Sequence, residues 1–86
     1  MRFYLYAFYD KEVKCFYQPQ IDEDDPEKVT VKNYRAWVKA DDLDKTKLLK
    51  VQLNFIGVFD DETGKFEALE KPQVLIDYEQ LNGGNK

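Results

Sequence analysis

Few residues of this chain could carry catalytic chemistry. The sequence contains no histidine, which excludes His-based triads, His metal ligands and a His general base. Its single cysteine, Cys15, therefore has no imidazole to activate it, and we expect a packed thiol. Adjacent carboxylates recur at positions 24–25, 41–42 and 60–61, but each pair falls in an expected loop or turn rather than in a cleft. These patterns predict a protein that is not an enzyme and that has no cofactor.

An acidic segment at residues 20–28 raises the question of metal binding. Its carboxylates could in principle form a calcium loop, but the segment lacks the D-x-D-x-D-G frame and the distant Glu of an EF-hand. A solvated surface linker explains the same composition. We therefore predict no metal site.

The aromatic content is high, with six Tyr, six Phe and one Trp among 86 residues. Aromatic rings exposed beside Lys or Arg bind single-stranded nucleic acid, because bases stack on the rings while the cations contact phosphates. The net charge of −4 means that such a site needs a local basic patch. The alternative is that the rings fill the thin core of a small domain. The candidate nucleic-acid-binding residues are Arg2, Tyr4, Tyr6, Lys14, Phe16, Lys32, Arg35 and Trp37.

Hydrophobic periodicity predicts the elements that would position these residues. Strands are expected at residues 2–9, 13–17, 49–60 and 66–69, with a short fifth strand at 73–76, and a helix is expected at 31–39. Gly57 is expected to mark a bulge or the close approach of another chain. The order predicts an α+β fold, a small antiparallel sheet of four to five strands with one helix packed on a face. Residues 1–81 would form one domain and residues 82–86 a flexible tail.

Several segments resemble the small nonstructural protein of gokushovirus-type microviruses, which are single-stranded DNA phages. They are residues 6–11 (YAFYDK), 17–19 (YQP), 34–37 (YRAW), 55–66 (FIGVFDDETGKF) and the Lys71-Pro72 step. Their order and spacing span about residues 3–76. The resemblance implies a phage-encoded, noncapsid protein acting in the host cytoplasm, and it suggests binding of single-stranded DNA during genome synthesis or packaging.

One helix cannot cover both faces of a four-stranded sheet, so the second face must be polar, dimerised or a ligand platform. A rival hypothesis is therefore a homodimer that binds a host or phage replication protein without affinity for nucleic acid. An inhibitor of a host defence enzyme is a further alternative, although acids and bases alternate along the chain too evenly for a DNA mimic. No apolar run is long enough to span a membrane, and no membrane partner is expected.

Overall fold

Five antiparallel strands form one sheet in the computed structural model, which describes residues 1–83. The elements are β1 (Arg2–Asp10), β2 (Cys15–Phe16), β3 (Gln20–Asp22), α1 (Pro26–Lys39), α2 (Asp42–Leu48), β4 (Val51–Asp60), β5 (Lys65–Asp77) and α3 (Tyr78–Gly83). The strands occur in the order β2-β1-β4-β5, and β3 pairs with β1 on the same side as β2. This confirms the predicted α+β class.

The core lies between one face of the sheet and the helices. Alternate side chains of the two central strands, β1 and β4, point to this face, and Val29 and Trp37 of α1 pack against them. The first residue of α3, Tyr78, is buried in the same cluster. The buried cluster comprises Tyr6, Val29, Trp37, Val51, Leu53, Phe55, Ile76 and Tyr78.

Helix α1 begins five residues before the predicted start at position 31. Asp25 is its N-cap and accepts a hydrogen bond from the Lys28 backbone N–H at 2.9 Å, while Pro26 occupies the first turn. The β-branched residues Val29, Thr30 and Val31 have a high intrinsic strand propensity, but Val29 is buried against the sheet and belongs to the helix. Tertiary packing therefore overrides local β propensity here.

The first hairpin turn is longer than predicted, so the predicted second strand at 13–17 is reduced to Cys15–Phe16. The buried carboxylate of Asp10 accepts hydrogen bonds from the backbone N–H groups of Glu12 (2.9 Å) and Val13 (3.3 Å) and from the Tyr17 hydroxyl (2.7 Å). Lys14 completes the turn with a φ of 61°. The neighbouring Cys15 is exposed, so the prediction of a packed thiol was wrong.

Two further strands differ from the prediction. Residues 20–22 of the acidic segment form β3, which pairs with residues 4–6 of β1. The predicted strands at 66–69 and 73–76 are parts of one strand, β5. Its pairing with β4 is irregular between Ala68 and Gln73, and Pro72 lies in this stretch. Because the ladder is already interrupted here, the missing backbone N–H of proline costs no regular inter-strand hydrogen bond.

Gly57 marks a bulge, as predicted, because the β1–β4 register shifts between Leu5 and Tyr6. A Cβ atom at position 57 would lie 2.8 Å from Cε1 of Phe66 and 2.9 Å from the backbone oxygen of Glu67. The chain that approaches Gly57 closely is therefore the neighbouring strand β5. Gly64 supplies the positive φ of 73° in the turn between β4 and β5.

Helix α3 includes positions 82 and 83, which were predicted to begin a flexible tail. The rest of that predicted tail lies outside the described residues.

The hydroxyl of Tyr6 provides a test of how the acidic segment is attached to the sheet. It donates a 2.7 Å hydrogen bond to the backbone oxygen of Asp24, and burial followed by the charges of the nearby carboxylates raises the pKa of this phenol. Tyr6→Phe should lower the free energy of unfolding by about 1 kcal/mol, because the carbonyl loses its donor. The measurement is urea denaturation, with Tyr9→Phe on the opposite face as the control. Equal losses in the two variants would contradict this role.

The stability that Asp10 contributes to the folded protein should depend on pH. The hydrogen bond from Tyr17, followed by those from the two backbone N–H groups, holds the pKa of Asp10 below its ordinary 3.8 although desolvation opposes the shift. A lowered pKa contributes stability that is present above pH 3.8 and is lost as the pH falls through the native pKa. The urea midpoint of the native protein should therefore exceed that of Asp10→Asn at pH 7, and the gap should narrow below about pH 3.8. A gap that stays constant down to pH 2 would contradict this account.

Candidate nucleic-acid interface

The eight residues predicted from the sequence do not converge on one surface. Tyr6 and Trp37 are only 4% and 7% exposed. The Tyr6 ring lies 5.7 Å from the ring of Phe55, and the Trp37 ring lies 5.3 Å from the ring of Tyr78. Tyr4 is half-buried beside Phe55. These rings fill the small core, where large side chains gain the most buried area, so Tyr6 and Trp37 are not exposed for stacking as the sequence suggested.

Three other predicted residues lie far from that cluster. Arg2 begins β1, whereas Lys14 lies in the turn beyond the other end of the same nine-residue strand. Phe16 is exposed on the sheet face opposite the helices, where its ring packs 4.8 Å from the ring of Tyr9. Arg2 is therefore separated by the length of β1 from Lys14 and Phe16, which lie two residues apart at the other end of the strand.

Lys32 is exposed but its charge is compensated. Its Nζ atom lies 3.2 Å from a carboxylate oxygen of Asp22 and 3.3 Å from one of Asp24. Hydrogen bonds to these two carboxylates raise the pKa of Lys32. The pairs tie α1 to the acidic segment, and exposed pairs of this kind contribute little to stability.

The outward face of α1 is basic. Four cations lie at positions i, i+4, i+7 and i+11 of this helix, which places them on one side, opposite the buried Val29 and Trp37. At 1.5 Å per residue they extend over about 16 Å. We call this surface the basic face of α1; its members are Lys28, Lys32, Arg35 and Lys39.

Three of these four cations are available for a ligand. In the described part of the chain, Lys28, Arg35 and Lys39 form no ion pair, unlike Lys32. They line a shallow groove with Val31 and Ala36 between them. Lys39 also lines a second groove with Lys47 of α2, which extends the positive charge toward that helix. Glu27 and Asp44 line the same grooves and reduce the charge only partly.

An exposed aromatic ring adjoins the basic face. Tyr34 is 49% exposed and lines a groove together with Val31 and Arg35 of α1 and Leu81 of α3. Its ring is therefore accessible next to a free guanidinium. An accessible ring beside unpaired cations is the combination that single-stranded nucleic acid recognises.

The sheet face opposite the helices has a different character. Its residues are paired across the strands, as in Phe3–Phe59–Phe66, Leu5–Gly57 and Tyr9–Phe16. None of the paired positions on this face carries Lys or Arg. The rings here therefore lack the cations that would contact phosphates. We call this surface the uncovered sheet face; its large apolar members are Phe3, Leu5, Tyr9, Phe16, Ile21, Phe59, Phe66 and Val74.

Lys28, Tyr34 and Lys39 are not among the eight candidate residues named from the sequence. Residues 28, 32, 35 and 39 follow helical spacing, and residues 25–27 form a helix start. Beginning the helix at position 31 removed Lys28 from this pattern. Helical position decides which of the rings of Trp37 and Tyr34 is exposed, and residue type alone does not give it.

Residues 1–83 contain no cluster of three or more His, Cys, Asp or Glu side chains placed to hold a metal ion. Within the same residues, none of the helices has the length and hydropathy needed to cross a membrane.

The comparisons with known proteins identify a family. The family model described as "Phage ORF5 protein" matches residues 3–81, which is nearly the whole chain. Neither a curated protein nor a solved structure matches significantly.

The burial of Trp37 can be tested directly because it is the single tryptophan of the chain. Its fluorescence should be quenched by acrylamide several times less efficiently in the native protein than in urea, since the core shields the ring. Tyr34→Trp in a Trp37→Phe background places the probe on the exposed side of the same helix and should be quenched nearly as well as the unfolded chain. Equal native quenching at the two positions would contradict the assignment of Trp37 to the core.

Proposed function

Because the chain belongs to the Phage ORF5 protein family, we propose that it is a phage accessory protein that binds single-stranded DNA through the basic face of α1. The single observation that carries the proposal is the alignment of Lys28, Arg35 and Lys39 on one helix face without carboxylate partners in the described residues. Phosphate contacts dominate the affinity of proteins for nucleic acid. A short ridge of free cations is therefore a sufficient starting point for binding.

The acidic net charge of −4 is compatible with this role because the charges are segregated. The acidic segment and the chain reversals carry much of the negative charge, and several of these carboxylates accept hydrogen bonds from backbone N–H groups or bind lysines. Repulsion by the remaining acids acts at long range and is screened within about 8–10 Å at physiological salt. Contacts at the basic face are closer than this distance.

The exposed ring of Tyr34 favours single strands over duplex. Bases in a single strand can leave the stack and pack on an aromatic side chain, which is worth about 1–3 kcal/mol per base. The flanking Val31 and Val38 are also exposed and could contact base faces. Bases and phosphates would then occupy adjacent sides of the same helix.

The resemblance to microvirus nonstructural proteins gives this activity a biological setting. Such phages produce a single-stranded genome, and we infer that the protein acts in the host cytoplasm during genome synthesis or packaging. Its part would be to hold the strand, without catalysis and without a cofactor.

Fluorescence anisotropy of a labelled oligothymidine, titrated at several salt concentrations, tests the proposal. We expect binding that weakens with salt at a log–log slope of about −0.7 per phosphate contact. The variant Lys28→Ala/Arg35→Ala/Lys39→Ala should reduce the magnitude of the slope by about 2, and Tyr34→Ala should weaken binding at least about fivefold through lost stacking. Duplex of the same length should bind more weakly.

The matched control is Lys14→Ala, which removes one exposed cation from the first hairpin turn and should leave affinity within about twofold. Loss of binding in Lys14→Ala together with normal binding in the triple variant would place the site elsewhere. Absence of binding at low salt, where phosphate contacts are strongest, would reject the proposal and favour a module that binds a replication protein.

A further inference from the structure

The uncovered sheet face is large and apolar for so small a protein. Residues in it form cross-strand rows that adjoin one another, namely Phe3–Phe59–Phe66, Ile21–Leu5–Gly57–Ala68 and Ala7–Asn54–Val74. Ala7, Asn54 and Gly57 are themselves buried, so the exposed surface of these rows is formed by the other members. No residue of these three rows is charged. The ring of Phe66 also lies directly over Gly57, which joins the first two rows into a continuous surface.

We propose that this face binds a second copy of the chain. Four of the eight apolar members, Phe16, Ile21, Phe66 and Val74, are about half exposed, and the other four are less exposed. With roughly 150–250 Å² for a large ring, the eight together present on the order of 500 Å². A homodimer interface of about 800 Å² per partner, about 65% of it apolar, needs about this much. Patches of this size are at the upper limit for monomeric proteins.

The charge distribution favours a second copy over a charged partner such as nucleic acid. Two acidic chains repel each other at long range, and an uncharged contact surface adds no further repulsion. The three rows carry no charge, and the fourth row of this face, Phe16–Tyr9–Gln52–Asp77, ends in a carboxylate that is paired with Lys11. Their rim is polar and carries both signs, with Glu23 beside Ile21 and Lys71 in the irregular part of β5, as is usual at the edge of an interface.

The small core of a single copy also favours association of two copies. No large side chain of the described residues is less than 2% exposed, whereas four large hydrophobic residues of the uncovered sheet face are exposed, namely Phe16, Ile21, Phe66 and Val74. A domain of this size buries only about 60–65% of the surface of its unfolded chain. Covering the uncovered sheet face would complete a second apolar layer around β1 and β4.

Association through a strand edge is disfavoured by comparison. The free edge of the sheet is β5, but Pro72 and the irregular pairing interrupt it, and such interruptions block edge-to-edge pairing. At the opposite edge, β2 and β3 contain only two and three residues. Face-to-face packing is therefore the mode that the geometry supports.

Sedimentation equilibrium of the native protein tests the proposal, and we expect a mass twice the 10.2 kDa of one chain. Ile21→Glu/Phe66→Glu, at positions 58% and 51% exposed, should sediment as a folded monomer. The matched control is Val38→Glu/Leu43→Glu, at positions 57% and 66% exposed on the helical side, which should remain a dimer.

Two results would overturn the proposal. One is a native protein that sediments at 10.2 kDa at 100 µM-scale concentrations, and the other is dissociation of the control with retention of the dimer in Ile21→Glu/Phe66→Glu. If the double glutamate variant does not fold, Ile21→Thr, which keeps a β-branched residue in β3, should still weaken the dimer at least tenfold. No weakening in a folded Ile21→Thr variant would count against the interface.

A dimer of this kind has a consequence that rests on the proposed DNA binding. The helices lie on the other face of each sheet, so the two basic faces would point outward in opposite directions. One dimer would then bridge two separate single-stranded segments.

Capture of a labelled oligothymidine on beads that carry a second oligothymidine tests this bridging. The native protein should retain the label, the monomeric Ile21→Glu/Phe66→Glu variant should bind the beads but retain no label, and the triple α1 variant should dimerise without binding the beads. Failure of dimerisation and failure of DNA binding are thus distinguished. Bridging by the monomeric variant would contradict the arrangement.

Discussion

The central strands β1 and β4 carry apolar side chains toward both faces of the sheet, whereas the helices cover one face only. This asymmetry decides the character of every surface of the molecule. On the covered face, Tyr4 and Tyr6 of β1 and the single tryptophan pack in the core. On the other face, large apolar side chains such as Phe16, Ile21 and Phe66 are left to solvent, which is unfavourable for a chain of 86 residues unless another surface covers them.

The distribution of charge follows from the same arrangement. Because the helices form the outer layer on one side, long cationic side chains project from α1 away from the sheet, with their stems over apolar residues. The acidic residues are used largely in turns and helix caps, where Asp10, Asp25, Asp41 and Asp60 accept backbone hydrogen bonds. An acidic protein thereby keeps one basic surface, and its apolar and cationic surfaces point in opposite directions.

Much of the fold could be predicted from the sequence. Hydrophobic patterns located β1 and β4, and Gly57 was correctly expected to mark a bulge. The prediction lost accuracy where several weak signals compete. The β-branched residues 29–31 obscured the start of α1, and the two halves of β5 are separated by Pro72, which ordinarily ends a strand. The three-residue strand β3 has no periodicity of its own and exists because β1 offers it a free edge.

The candidate site was harder to predict than the fold, because residue type says little about exposure. Tyr6 and Trp37 have the chemistry of a stacking platform but occupy the core, and Lys32 is compensated by two carboxylates that lie eight and ten positions away in sequence. Such pairing depends on tertiary placement of the acidic segment. Only Arg35 of the predicted set is both exposed and located among other free cations, and its neighbours became apparent once the helix began at Pro26.

A ¹H–¹⁵N chemical-shift titration of the labelled protein with an oligothymidine tests most directly whether the basic face of α1 binds single-stranded DNA. We expect the largest amide perturbations along α1 between Lys28 and Lys39, while the amides of the uncovered sheet face, including Phe16 and Phe66, stay unchanged. Perturbations that centre on the sheet, or no perturbation at low salt, would contradict this proposal.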